Sequence, residues 1–373
     1  MGVDSGSVPS TAAREVARVE VPGARGGTLV VLPGAGGRPL VLVRSGRECR
    51  VLRPDGSAER LIAPWSHEFG QAALAPDGRT VVFAGPHALR AVAVATGRTV
   101  WEVRHRCWEG CPGHDSPVEF ADDRAHRYAA HGAVAFSADG RLVWAHVPGA
   151  PAGAEPVGEA EELWLLDALE GGIRARWDAD SGGAAGSSPT GLPTSGQWVT
   201  SIGYGQDGAA MRWVRGAEPG AVVEDFGQAD LVGLSVSPSG RLLMTVDHDQ
   251  AELAVRTLPV EAAAGTEVLA AVAAEGLFPP HPDSGEDFDP EEFPACFDWT
   301  GGFLDEGTLL VGTEDWDDER GPGRHWLLDA GTLRPVGLLA YPDDEAGARP
   351  EPLGDGTWWT YDRDRERVRV WSR

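Results

Sequence analysis

Three soft metal ligands fall close together in one stretch of this chain, His105-Arg106-Cys107-Trp108-Glu109-Gly110-Cys111-Pro112-Gly113-His114-Asp115. Thiolate sulfur and imidazole nitrogen suit zinc, copper or iron. Gly110 and the Pro112-Gly113 pair allow the loop to fold back so that Cys107, Cys111 and His114 converge. His105, His126 or His131 can supply a fourth ligand. The spacing fits a structural zinc knuckle that lacks the second Cys-x-x-Cys half, and zinc is the expected metal. The same two cysteines can instead form a loop disulfide, or stay as free thiols beside a packed Trp108.

Other chemistry-bearing residues are dispersed. Asp247-His248-Asp249 can orient an imidazole for base catalysis or ligation, or serve as a plain polar turn. Asp283, Glu286, Asp287, Asp289, Glu291 and Glu292 alternate with aromatics as calcium ligands can, but without the EF-hand glycine and closing glutamate; a solvated loop has the same composition. Trp316 stands among carboxylates in Glu314-Asp315-Trp316-Asp317-Asp318-Glu319, where its ring can meet a sugar or a cation, or cover a sheet edge. There is no Gly-x-Ser-x-Gly elbow, no His-Glu-x-x-His, and no phosphate-binding loop with its lysine, because the chain has no Lys at all.

The elements that position these residues are legible from a repeat. Pro76-Asp77-Gly78, Ala138-Asp139-Gly140, Thr194-Ser195-Gly196, Pro238-Ser239-Gly240, Asp305-Glu306-Gly307 and Gly354-Asp355-Gly356 each separate two short apolar runs, with a weaker seventh at Ala35-Gly36-Gly37. Asp-Gly and Thr-Gly supply the positive φ that tight hairpins need. Each unit reads as four strands, a to d. The units lie at 28–63, 71–103, 132–178, 188–227, 231–273, 297–340 and 350–373. The string Trp-Leu-Leu-Asp-Ala recurs at strand c in two of them, from Trp164 and from Trp326. The last unit has only three strands, and Val16–Val21 is an unassigned strand near the other end. That strand is expected to complete the last unit, because an open sheet would leave bare edges. The expectation is an all-β, seven-bladed β-propeller with four-stranded antiparallel blades, folded as one domain over 1–373. Asp180–Thr190, rich in Gly, Ala and Ser, reads as a flexible link.

The Asp-Gly-Arg turns and Ala95-Thr96-Gly97-Arg98 resemble those of WD40-like and YVTN-type bacterial propellers over most of the chain. Gly-His and Trp-Asp pairs do not recur from unit to unit as they do in strict WD40 repeats. The resemblance implies the fold and leaves the function open, since such folds serve as scaffolds, lectins, hydrolases and metal enzymes.

Antiparallel blades put the b–c and d–a connections at one end. The long insertions 105–131, 146–161, 274–296 and 313–324 all fall there, as do the histidines. His67, His105, His114, His126, His131 and His281 lie in or beside d–a links, and His87, His146, His248 and His325 in or beside b–c links. Long loops on a rigid scaffold are where binding concentrates. Asp247 and Trp316 join this candidate face.

A net charge of −25 argues against nucleic acid and anionic membrane as partners. The absence of Lys and Asn fits GC-rich codon usage. The start, Met1-Gly2-Val3-Asp4-Ser5, lacks a secretory h-region, no 18-residue apolar run occurs, and four cysteines are too few for a disulfide framework, so a cytoplasmic location is expected. Two functions remain: a binding module that recognises a protein or small molecule with its long-loop face, or a metal-dependent enzyme with a His/Cys site there.

Overall fold

The computed structural model describes residues 8–106, 132–158, 161–180, 186–191, 197–203, 208–215, 222–226, 230–259, 266–282, 294–313, 323–342 and 349–373. The elements among the described residues are strands, with a turn of 3-10 helix at Ala35–Gly37. That turn makes the first a–b connection longer than the tight hairpins elsewhere.

Two strands near the N-terminus, β1 (Ser10–Ala12) and β2 (Arg14–Glu20), join sheets built mainly from the far end of the chain. Blade 1 is β3 (Thr28–Leu32), β4 (Leu40–Ser45), β5 (Glu48–Leu52) and β6 (Ala58–Ile62). Blade 2 is β7 (Ala72–Leu74), β8 (Thr80–Ala84), β9 (Ala88–Ala93) and β10 (Thr99–Arg104). Blade 3 is β11 (Ala133–Phe136), β12 (Leu142–Val147), β13 (Glu162–Asp167) and β14 (Ile173–Asp178). Blade 4 is β15 (Gly186–Gly191), β16 (Gln197–Gly203), β17 (Ala209–Arg215) and β18 (Val222–Asp225). Blade 5 is β19 (Leu231–Val236), β20 (Leu242–Asp247), β21 (Glu252–Thr257) and β22 (Val268–Ala273). Blade 6 is β23 (Gly301–Asp305), β24 (Thr308–Gly312), β25 (His325–Asp329) and β26 (Pro335–Ala340). Blade 7 is β27 (Glu351–Pro352), β28 (Thr357–Asp362) and β29 (Arg367–Ser372), completed by β2.

Six four-stranded antiparallel sheets and one mixed five-stranded sheet make up the β-propeller arrangement. The N-terminal strand closes the last blade as expected: β2 pairs antiparallel with β29, from Arg14 opposite Ser372 to Glu20 opposite Arg367. The expected flexible link at 180–190 is corrected in part. Gly186–Gly191 is β15, paired with β16, because the strand ladder needs backbone groups and not bulky side chains. β1 was not legible in the sequence; it adds to β26 in parallel as a fifth strand.

By packing, the chain divides into two compact units, 21–233 on one side and 1–20 with 234–373 on the other. Strand position explains the residue pattern in each. All six residues of β12 are buried, so it reads Leu-Val-Trp-Ala-His-Val without polar alternation. The closing strand β2 alternates exposed and half-buried residues along Arg-Glu-Val-Ala-Arg-Val-Glu. The a–b turns hold themselves: Asp77 and Asp139 each accept the backbone N–H two residues on, at 2.9 and 3.1 Å. Gly78 has φ +70°, which strains any side chain there, and it sits against Leu40 and the Arg53 guanidinium, which would have to shift to admit a Cβ. No helix among the described residues is long and apolar enough to cross a membrane.

Candidate functional site

In the first unit the b–c and d–a connections of blades 2 and 3 carry a set of buried polar side chains. Residues 104–106, at the end of β10, pair with 150–152 after β12: Arg106 donates its N–H to Ala150 O at 2.8 Å and Ala152 to Arg104 O at 2.9 Å. This bridge brings His105 under the b–c loop. Its Nδ1–H donates to Arg106 O at 2.9 Å, and its ring stands edge-on to Trp164 and stacks on His87. Burial pushes its pKa down to about 4, against the opposing pull of the Arg106 and Gly85 carbonyls. The imidazole is therefore neutral near pH 7. With the proton on Nδ1, Nε2 carries a lone pair. The Gly85 carbonyl lies near, but no group among the described residues completes a hydrogen bond at Nε2.

Beside it Glu161, just before β13, and Glu162, its first residue, supply two carboxylates with separate tasks. Glu161 accepts from His146 Nε2–H at 3.0 Å, with both side chains buried. Glu162 accepts four hydrogen bonds: Trp164 Nε1 at 2.7 Å, Arg176 Nε at 2.8 Å, Arg176 Nη2 at 2.6 Å and Val157 N at 3.0 Å. Burial alone would raise its pKa, but Arg176, Trp164 and the Val157 amide together hold it below the usual carboxylate range. Arg176 also donates to Glu155 O at 2.8 Å, and Arg106 to Ala154 O at 3.1 Å. Side chains thus fasten the segment Pro151–Gly158 at three backbone positions, while Ala152, Gly153, Glu155, Pro156 and Val157 remain exposed. These polar groups are spent on positioning a loop.

His67 does similar work in blade 1. Its Nδ1 accepts Gly46 N–H at 2.9 Å, locking the d–a link to the b–c turn. Arg44, which the sequence did not single out, ties the same link down. It is buried and donates to Gly70 O, Ser66 O and Trp65 O at 2.8, 2.7 and 3.3 Å. Burial lowers its pKa to about 10, still high enough to stay charged near pH 7.

In the second unit the described histidines are His248, His281 and His325. The Asp247-His248-Asp249 turn acts as a turn: Asp247 Oδ1 accepts Glu252 N–H at 2.8 Å, and the His248 ring lies against Trp299. His325 opens β25. Trp358 Nε1–H donates to Tyr341 Oη at 3.0 Å, leaving the phenol proton to donate to His325 Nδ1 at 2.6 Å. Burial pushes His325 down to about 3 and the Tyr341 phenol up. Cys107, Cys111, His114, His126, His131 and Trp316, with the carboxylates from Asp283 to Glu292, lie outside the described residues. Among the described residues no three of His, Cys, Asp and Glu gather as a metal would require.

The two neutral histidines imply an acid sensitivity of defined sign. An unfolded chain binds protons at His105 and His325 near pH 6.5, whereas the folded chain does so only near 4 and 3. Between these limits the unfolded state holds more protons, so stability falls with pH by roughly 1.4 kcal/mol per unit for each site. Carboxylates held low, such as Glu162, lose their contribution only at more acid pH. The melting temperature is expected to drop on going from pH 7 to 4.5, and to drop less in His325→Gln. Parallel profiles for the two proteins would show that His325 is not the proton site.

The Trp-Leu-Leu-Asp-Ala twins separate here. Trp164 Nε1 meets Glu162, two residues earlier in β13, whereas Trp326 Nε1 meets Thr313 Oγ1 at 3.3 Å with the Arg324 guanidinium over its ring. A repeat search weights the identical string and passes over the residue before it that differs.

Among solved structures the chain is similar to the Cps50 (Swd1) β-propeller domain of Myceliophteria thermophila. The identity is 11% over 97% of this chain and 99% of that one, with a TM-score of 0.50. It is also similar to a chain in a structure of the mitotic checkpoint complex, at 12% identity over 100% of this chain and 98% of that one, TM-score 0.54. At such identities the likeness is one of fold. No protein-family model matches the chain, and no curated protein matches it. Sheet order and these likenesses together place the chain among the β-propellers.

Proposed function

We propose that this chain is a protein-interaction module of WD40-like kind, and that its b–c and d–a connections form the recognition surface. The observation that carries this reading is the loop Pro151–Gly158, exposed along its tip yet held by Arg106, Arg176 and Glu162. A loop ordered before binding loses little entropy on binding, which is what a docking surface requires. Val157, 47% exposed on that tip, offers an apolar anchor. One of the similar structures is of a multiprotein complex, which agrees with a scaffold role. The charge of −25 favours a partner with a basic surface over nucleic acid or anionic lipid, and the expected setting is the cytoplasm.

A second reading keeps a transition metal, zinc first. Its support is the Nε2 of neutral His105, which has no hydrogen-bond partner among the described residues and stands two residues before Cys107. One pair of measurements separates the readings. Partners co-purified with the wild-type chain from its native cell are expected to be lost with Val157→Asp and retained with a control substitution on an a–b turn, Asp77→Ser. Metal analysis of the same preparations is the other arm. Stoichiometric metal lost with Cys107→Ser, and partners indifferent to Val157→Asp, would overturn the interaction reading in favour of the metal site.

A further inference from the structure

Six-residue strands without charge are unusual at a sheet edge, and the described residues include two such fourth strands. The fourth strands β6, β10, β14, β18 and β2 all carry Asp, Glu or Arg. Charge on an edge strand prevents unwanted strand pairing. The two uncharged fourth strands are β22, Val-Leu-Ala-Ala-Val-Ala, and β26, Pro-Val-Gly-Leu-Leu-Ala. The edge of β26 is covered, because β1 lies along it. Leu338 donates its N–H to Pro9 O at 3.0 Å, and Ala340 O accepts Ala13 N–H at 2.8 Å. β22 ends its sheet with no strand beyond it among the described residues, and Val268 and Leu269 are 50% and 54% exposed.

The two strands are equivalent in detail. Each has one bulged residue against its c strand, Leu269 in β22 and Val336 in β26. Aligned on the bulge, Leu338 and Ala340 correspond to Ala271 and Ala273. The outward direction matches as well. Ala274 donates its N–H inward to Ala251 O at 2.8 Å, so by alternation Val272 faces β21 while the N–H and C=O of Ala271 and Ala273 point away from the sheet. The groups that hold β1 on β26 therefore have counterparts on β22.

We propose that the β22 edge takes up an extended segment of a partner protein by strand addition, with Ala271 N–H and Ala273 C=O as the first anchoring groups. The charge around the edge indicates the chemistry of that segment. Glu267 precedes β22, Glu275 follows it, and Glu252 lies opposite Ala273; all three are exposed. An uncharged, β-prone core bracketed by Arg or Lys is complementary to that frame. A second copy of this chain is not, since each copy carries a net charge of −25. Size is constrained too. A Cβ on Gly337 would come within 2.6 Å of Thr11 Oγ1, which shows how closely β1 approaches, and β22 has Ala270 at the equivalent place. The residue of the segment that crosses Ala270 must be small. This surface is distinct from the loop face and stands or falls separately from it.

The test uses the full chain and a display library of random decapeptides, with affinities of selected peptides measured by fluorescence anisotropy. Selected peptides are expected to have a core free of Asp and Glu with Arg or Lys at the ends. Ala271→Pro removes one outward N–H and leaves the ladder to β21 intact, and is expected to weaken binding about tenfold or more. Ala271→Lys, at the same exposed position, repeats the test if Ala271→Pro lowers the melting temperature. Glu267→Gln with Glu275→Gln is expected to weaken binding about threefold at low salt, with the difference vanishing at high salt. Three results would overturn the proposal. One is a set of peptides indifferent to both Ala271 variants. Another is a dimer in sedimentation that Ala271→Pro dissociates, which would make the occupant a second copy. The third is an Ala271 amide as protected from hydrogen exchange in the isolated chain as that of Leu338, which would mean the chain already covers its own edge.

Discussion

Removing residues 1–20 is expected to cost the protein on the order of 5 kcal/mol or more, comparable to the whole net stability of a typical domain. The deletion strips two sheets at once. Blade 7 loses β2 and its ladder to β29, and blade 6 loses β1. Ala13 is buried with Leu304, Leu310, Leu327, Leu339, Trp358 and Trp371, so the cut also opens that cluster to water. The buried Arg369 loses Glu15, whose carboxylate lies 2.6 Å from its Nε. Two bare edges then invite aggregation. Thermal denaturation of the truncated chain should show a large fall in melting temperature. A synthetic peptide spanning residues 8–20 should restore much of it, because strand pairing requires no covalent link. A truncated protein that melts like the full chain would refute the closure.

Glu162→Ala is expected to destabilise the unit of residues 21–233 by about 3–5 kcal/mol, the usual cost of removing one partner from a buried ion pair. Its carboxylate is fully buried, and its loss leaves Arg176, the Trp164 indole N–H and the Val157 amide without their shared acceptor. Arg176→Met should cost less when combined with Glu162→Ala than when added to the wild type. A double-mutant cycle read by denaturant unfolding measures that coupling. Strict additivity would mean the pair does not hold the loop. Partner binding provides an independent readout. If the Pro151–Gly158 loop recognises a partner, Glu162→Ala should also weaken that interaction under conditions where the protein remains folded.

The blades were legible because their determinants are local. Asp77-Gly78-Arg79 specifies a hairpin through a positive φ and an Asp side chain that bonds two residues ahead, and both can be read from adjacent letters. Middle strands such as β8 read as unbroken apolar runs, here Val81-Val82-Phe83-Ala84, because both faces are buried. The missing fourth strand of the last unit could be inferred by counting. β1 could not, since Ser-Thr-Ala has no strand signal of its own. Its pairing depends on Gly337, which leaves room for Thr11 over three hundred residues away in the chain. Most of β15 was read as linker, although the fourth unit was expected from 188, for a related reason: Gly-Ser-Ser-Pro-Thr-Gly has the composition of a linker, and pairing with β16 makes it a strand.

The site residues divide along the same line. Sequence position alone put each described histidine in or beside the b–c or d–a connection of its own blade, because antiparallel order assigns each connection to an end of that blade. What each histidine does was decided by tertiary packing. His105 is neutral because the bridge between residues 104–106 and 150–152 buries it. His67 caps a glycine amide, and His248 rests on Trp299 beside a turn that Asp247 closes. Glu162 and Arg176 lie fourteen residues apart with nothing in the letters to join them, and a strand register brings Glu162 within reach of Arg176 and Trp164. Turn chemistry acts over two or three residues and survives in the sequence as a pattern. Burial, protonation and ion pairing depend on neighbours that the chain brings together only when it folds.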